Sequence, residues 1–323
     1  MLTDLLTRLG RWSRPRLAVP PWSSSLGLAR TLLALGTLAT LLATDPAVLL
    51  SPLANGAVPP LCSGPAGWGV WCLAPEQPQL GRWLSILVLV AVASGWRPRL
   101  TAVPHWYVSW SLTVNATILD GGDQVTAVLT LLLVPIGLTD PRRWHWQRRP
   151  ATPAAEIGNG QLAGRTAALL IQIQVAVIYL HAAIAKLGVP EWADGTSLFY
   201  WFRHPVFGAP SWLRPATELV TGWPFGVAAI TWGTLVLEFS LGIALLLPVP
   251  ARRLLLVSGL AFHGMIAVAM GLISFGLAMS AALLLYLLPT GHELVWPGRL
   301  RDRLRSVGFA TIGARHNRAT TPG

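Results

Sequence analysis

The chain has 323 residues, of which 53% are hydrophobic and only 11% charged, with a formal net charge of +11. A water-soluble domain carries roughly 25% charged residues, so this chain lacks the polar surface to coat a soluble particle. The basic excess sits in short arginine clusters between apolar runs. That pattern excludes a nucleic-acid-binding face and matches the loops of a membrane protein.

The first 25 residues are Arg-rich and interrupted by Pro15, Pro20 and Pro21. They lack the compact apolar core and small-residue cleavage site of a signal peptide, so an uncleaved cytoplasmic segment, 1–25, is expected. Eight segments then have the apolar length, about 17 to 25 residues, that crosses a bilayer. They fall at 26–44, 80–96, 103–119, 124–139, 163–187, 224–248, 254–271 and 273–289. The fold expected is an all-α, multi-pass bundle of about eight spans over 26–289, because backbone groups find no water in hydrocarbon. The last two segments abut closely enough for a kinked or re-entrant pair.

Arginines set the expected orientation. Arg8, Arg11, Arg14 and Arg16 precede the first span, Arg97 and Arg99 the third, and Arg142, Arg143, Arg148 and Arg149 follow the fourth. Arg252 and Arg253 follow the sixth span, and Arg299, Arg301, Arg303 and Arg305 the eighth. Eight alternating helices put every cluster on one side, the cytoplasm, with both termini inside and 290–323 as a cytoplasmic tail. The expected location is the plasma membrane, with lipid as the surrounding partner.

Loop 45–79 has no Lys or Arg and holds the only cysteines, Cys62 and Cys72. An oxidising outer loop would pair them, and the alternative is two free thiols. Their spacing offers no metal site, since no second ligand pair accompanies them. The other long outer connection, 188–223, interleaves Trp and Phe with Arg203, His204 and other charges. Short helices at the outer interface are expected there.

Few residues can carry chemistry. Lys186 is the only lysine; unlike arginine it can lose its proton and act as a base or nucleophile. Its competing role is to snorkel to the headgroups. Gln172, Tyr179 and Lys186 recur every seven residues and share a helix face, while Gln174 and His181 share the opposite one. A helix polar on both sides is expected inside the bundle or along a cavity. Glu238 and His263 also lie within spans, where an ionisable group either serves function or staples helices together. Gly259, His263, Ala267 and Gly271 form a mostly small-residue ridge suited to close helix approach. The third span opens at Pro104-His105-Trp106-Tyr107 and ends before Asp120-Gly-Gly-Asp123, whose carboxylates suit either a cation or a cap on the next helix. No phosphate loop, dinucleotide fingerprint or metalloprotease motif is present.

Several blocks resemble a known family. Ala185-Lys186-Leu187, Trp192-Ala-Asp-Gly195, Phe199-Tyr200 and Arg203-His204-Pro205 look like the HTTM domain, which vitamin K-dependent gamma-glutamyl carboxylases share with bacterial relatives. His105-Trp-Tyr, Leu119-Asp-Gly-Gly-Asp123-Gln124 and Leu138-Thr-Asp-Pro-Arg142 resemble the bacterial SdpB branch, which supports production of a secreted toxin peptide. The resemblance implies Lys186 as a base and His263 as its support at a site for a reduced quinone. It implies a small accessory protein of the SdpA type and a secreted peptide precursor as partners. Little sequence follows the last span, so no counterpart of the carboxylases' large extramembrane domain is expected, and carboxylation is not carried over. The competing expectation is a non-catalytic scaffold for export of, or immunity to, the peptide.

Overall fold

A computed structural model describes residues 19–54, 56–148 and 158–294. The arginine clusters of the first 18 residues and of the tail beyond 294, and the Arg149 position, lie outside the described residues. Among the described residues eight long helices are present: α1 (Ser24–Ala43), α2 (Pro78–Ser94), α3 (Pro98–Asn115), α4 (Gly121–Leu138), α5 (Asn159–Leu187), α6 (Pro224–Gly242), α7 (Val249–Met270) and α8 (Ile273–Leu287). Each coincides with one of the eight expected segments, usually beginning a few residues earlier. Among the described residues there is no β-strand, only one isolated bridge, between Trp96 and Trp144.

Among the described residues five helices, α1, α4, α5, α6 and α7, are long and apolar enough to cross a membrane. Helices α2 and α8 are apolar but shorter. Polar side chains hold α3 below that threshold, with Ser109, Ser111 and Asn115 buried along it.

Local chemistry fixes the helix ends. The Ser23 hydroxyl accepts the Leu26 N–H at the start of α1, satisfying a donor that has no partner within the helix. Proline occupies the first turn of α2, α3 and α6, where its missing N–H costs nothing. Gly95 ends α2 at φ +89°. A Cβ there would stand 2.5 Å from the His145 ring, so only glycine suits both the backbone and the contact. The reversal from α7 into α8 takes two residues, Gly271 and Leu272, with Gly271 left-handed at φ +70°.

Burial runs opposite to a water-soluble protein. Leu87, Ile184, Val236, Leu254 and Val257 point outward, while Arg30, His105, His145, Asp140 and Glu238 are buried. Outward apolar side chains suit lipid; inward polar ones find their partners between helices. Small residues permit close packing: Ala278, Ala281 and Ala282 of α8 are fully buried, and a Cβ on Gly276 would come within 2.8 Å of the Ala267 Cβ. The expected small ridge on α7 does meet α8 at Ala267 and His263, but Gly271 caps the helix instead of packing. One apolar core joins α1, α4, α5, α6 and α8. A second joins α1, α2, α3 and the cysteine loop.

The two ends of the bundle differ in charge. At one end the Arg97 N–H donates to Arg143 O at 2.7 Å and the His145 N–H to Gly95 O at 3.0 Å. There too the Ser25 hydroxyl donates to His292 O at 2.8 Å. At the other end Ser274 donates to Asp120 at 2.6 Å, and Cys62 and Cys72 form the expected disulfide. Its loop docks on α3, where Ser111 accepts the Val70 N–H and Tyr107 donates to Trp68 O. Helix α5 begins beside Pro21 at the first end, so Lys186, near its last residue, belongs to the second.

Of the two placements expected for α5, inside the bundle or along a cavity, the first is corrected. Its Ala167, Ile171, Val175, Tyr179 and Ala183 are buried, but Leu169, Ile173, Val177 and Ile184 are exposed. The apolar face opposite the buried stripe outweighs the two polar interruptions, and His181 lies exposed on it.

Candidate functional site

The seven-residue spacing along α5 stacks polar side chains about 10 Å apart on one face, and each meets a different helix. Lys186 Nζ donates to both carboxylate oxygens of Glu238 on α6, each at 2.7 Å. The lysine side chain is 25% exposed and the glutamate 9%, so the pair is only partly desolvated. Trp192, in the short Pro190–Ala193 helix, lies over the lysine with its ring centroid 5.3 Å from Nζ, a cation–π distance. Two turns deeper, the Tyr179 hydroxyl and His263 Nε2 on α7 are 2.8 Å apart. Phe262 and Phe275 stand edge-on to the His263 ring, and its Nδ1 is buried without a hydrogen-bond partner. Two turns deeper again, Gln172 donates to Tyr286 O at 3.4 Å.

Lys186, Glu238, Tyr179 and His263 are therefore brought together. The other candidates are not. His181 faces outward. Asp120 and Asp123 form a capping box on α4: the Asp120 side chain accepts the Asp123 N–H and the reverse bond is also made. His105 is buried on α3 with Nε2 unpartnered, in a different cluster. Arg203 and His204 shape the connection between α5 and α6: Arg203 donates to Phe199 O and Thr221 Oγ1, and His204 Nδ1 accepts the N–H groups of Val206 and Phe207.

That different cluster escaped the sequence reading. Arg30 is only 1% exposed within α1 and donates to Thr101 at 3.2 Å. Arg142, expected among free cytoplasmic charges, is buried. It grips Asp140 through two nitrogens at 2.9 and 2.7 Å and donates to the carbonyls of His145 and Gln147. The His145 ring meets Thr31 at 3.3 Å. Burial, then the nearby Arg30, Arg142 and His105, push the His145 pKa from the usual 6.5 down to about 2. The signal available was Arg30 itself, since an arginine inside a span demands a partner. Asp140 and Arg142 stood in a block that carries the family resemblance, but nothing in a turn between helices shows which partners its charges meet.

The HTTM domain family matches residues 159–290, which contain both the Lys186–Glu238 and Tyr179–His263 pairs. The chain is 38% identical over 292 residues, 90% of its own length and 92% of the other's, to the uncharacterized protein YitO of Bacillus subtilis (strain 168). It is 35% identical over 281 residues, covering 85% of this chain and 84% of the other, to the sporulation-delaying protein SdpB of the same strain. No solved structure matches the chain. Its polar pairs thus sit in an HTTM domain. The protein belongs to the SdpB family.

Proposed function

We propose that this protein is a multi-pass component of the plasma membrane, with both termini in the cytoplasm, needed to produce a secreted antimicrobial peptide. The relative's name ties it to sporulation delay, and the end of the bundle bearing Arg97 and Arg143 fits the cytoplasmic side. Lys186 is assigned as a base acting on the precursor pathway. A small accessory protein of the SdpA type and the precursor itself are its proposed partners.

The observation that carries this reading is the Lys186–Glu238 pair, with both oxygens at 2.7 Å from the amine. The pair can exist as ammonium and carboxylate, or as free amine and carboxylic acid with the same number of protons. Desolvation favours the neutral form and hydrogen bonding the charged one. A base role for Lys186 requires that Glu238 take up its proton, a transfer that leaves the proton count of the pair unchanged. Trp192 covers the amine and limits water. Tyr179 holds His263 in one ring orientation, leaving Nδ1 free of protein partners.

We propose a reduced quinone as the cofactor of this site, the supporting observation being the buried His263 Nδ1 without a hydrogen-bond partner. When bound it would supply reducing equivalents and an acidic hydroxyl. Lys186 Nζ would accept that proton, and His263 would orient the ring.

The test is the mass and yield of the secreted cognate peptide with wild type and Lys186→Arg at matched membrane abundance. Arginine keeps the ion pair but cannot act as a base near neutral pH, so maturation should be lost. Unchanged peptide would leave the second reading, a non-catalytic scaffold for export or immunity. One observation favours that reading: an ion pair joining α5 to α6 is also a staple between helices.

A further inference from the structure

The connection from α5 to α6 is folded into three short helices, Pro190–Ala193, Ser197–Phe202 and Arg214–Thr221. The last two frame a cavity of about 430 Å³, lined by Arg203, His204, Ser211, Arg214, Thr217 and Glu218 among others. That volume lies within the range of small-ligand sites, about 300–1,000 Å³. Its polar lining separates it from a packing void.

Its donors are placed by the fold. Arg203 is anchored by Thr221 at 3.0 Å and by the Phe199 ring, whose centroid lies 3.8 Å from the guanidinium carbon. Only Nη1 is used in these hydrogen bonds, so other N–H groups remain for a ligand. His204 Nδ1 accepts two backbone N–H groups at 3.2 and 3.1 Å. The ring proton must then sit on Nε2, which makes His204 a neutral donor. Arg214 and Glu218 stand one turn apart, yet neither side chain forms an ion pair or hydrogen bond among the described residues. The cavity therefore offers cationic and neutral donors beside one carboxylate, complementary to a ligand carrying a negative and a positive group.

Location selects among such ligands. Helices α5 and α6 are both candidate spans, so the segment joining Leu187 to Pro224 lies at headgroup depth. Tyr200, Val206, Trp212, Leu219 and Trp223 are exposed along it. An aromatic and aliphatic border of this kind marks a membrane interface.

We propose that this cavity binds the headgroup of an amine-bearing phospholipid. Arg203, Arg214 and the His204 Nε2–H hold the phosphate, Glu218 takes the ammonium, and the exposed apolar side chains meet the acyl chains. The assignment rests on the membrane location and not on any chemistry at Lys186, so it stands or falls separately from the base reading.

Native mass spectrometry of the full chain in detergent, titrated with phosphatidylethanolamine or phosphatidylcholine, tests it. Wild type should retain the ethanolamine lipid more strongly, because a trimethylated amine cannot donate to Glu218. Arg214→Gln should weaken retention of both lipids about tenfold, the loss of one charge-assisted contact, and Arg214→Lys should restore part of it. Glu218→Gln should erase the preference between headgroups. Both residues are exposed and unpaired, so the variants should unfold at the wild-type temperature. Equal retention by wild type and Arg214→Gln would overturn the proposal. So would displacement of the lipid by inorganic phosphate at equal concentration. Binding of an acidic peptide that Arg214→Gln abolishes, with lipid retention unchanged, would reassign the cavity to a peptide.

Discussion

Removing the carboxylate of Glu238 probes the ion pair most directly. Glu238→Gln keeps the shape and one acceptor oxygen but leaves the Lys186 ammonium without its counter-charge. Breaking a fully buried pair from one side costs about 3–5 kcal/mol. Lys186 is a quarter exposed and can turn toward solvent or headgroups, so about 1–3 kcal/mol is expected here. Lys186→Met strands the more buried partner and should cost more, toward about 3 kcal/mol, unless the carboxyl takes a proton. The double variant should then recover part of the loss, a coupling of about 1–2 kcal/mol. Lys186→Arg retains a bidentate pair and should stay within about 1 kcal/mol of wild type. Thermal unfolding followed by tryptophan fluorescence, with 16 tryptophans available, measures wild type and the four variants in one detergent. Additive single-variant losses would show that the 2.7 Å contacts carry no net energy, and the coupling assigned to the pair would be wrong.

Further outcomes follow from other contacts. Tyr179→Phe removes the 2.8 Å bond to His263 and leaves both ring nitrogens unpartnered, so a loss of about 1–3 kcal/mol is expected by the same unfolding assay. Replacing Cys62 and Cys72 together by serine opens a loop with a sequence separation of 10 and should cost about 2–3 kcal/mol. Reductant should then lower the unfolding temperature of wild type but not of the variant. His145 has a folded pKa of about 2 against 6.5, so the unfolded chain binds the extra proton. Stability from this group is complete above pH 6.5 and is lost as pH falls, by up to about 2 kcal/mol between 6.5 and 5. Comparing wild type with His145→Gln across that window isolates it, and parallel pH profiles would contradict the assignment.

The places where expectation and structure part follow a pattern. Asp120 and Asp123 are not among them: a cap on the next helix was one of the two roles expected, and the capping box of α4 shows it. Arg142 looked like a solvated charge because charge and position in a turn are all that a sequence displays. Its grip on Asp140 needs the turn to fold back against α1 and α2, where Gly27 and Gly95 make room for His145. His181 looked like a site residue because a helical wheel shows which residues share a face, not which face meets the bundle.

What the residues alone determined is local or one-dimensional. Apolar length and bounding Pro and Gly placed eight helices, since hydrogen-bond closure within each segment depends on that segment only. The heptad spacing put Tyr179 and Lys186 on one face, and redox reasoning paired Cys62 with Cys72. Tertiary structure alone decided the partners. Glu238 meets Lys186 and His263 meets Tyr179 across gaps of 52 and 84 residues, and Arg30 meets Thr101 across 71. Such contacts depend on the rotation and depth of one helix against another. Small-residue packing sets both, and periodicity within a single helix carries no record of either.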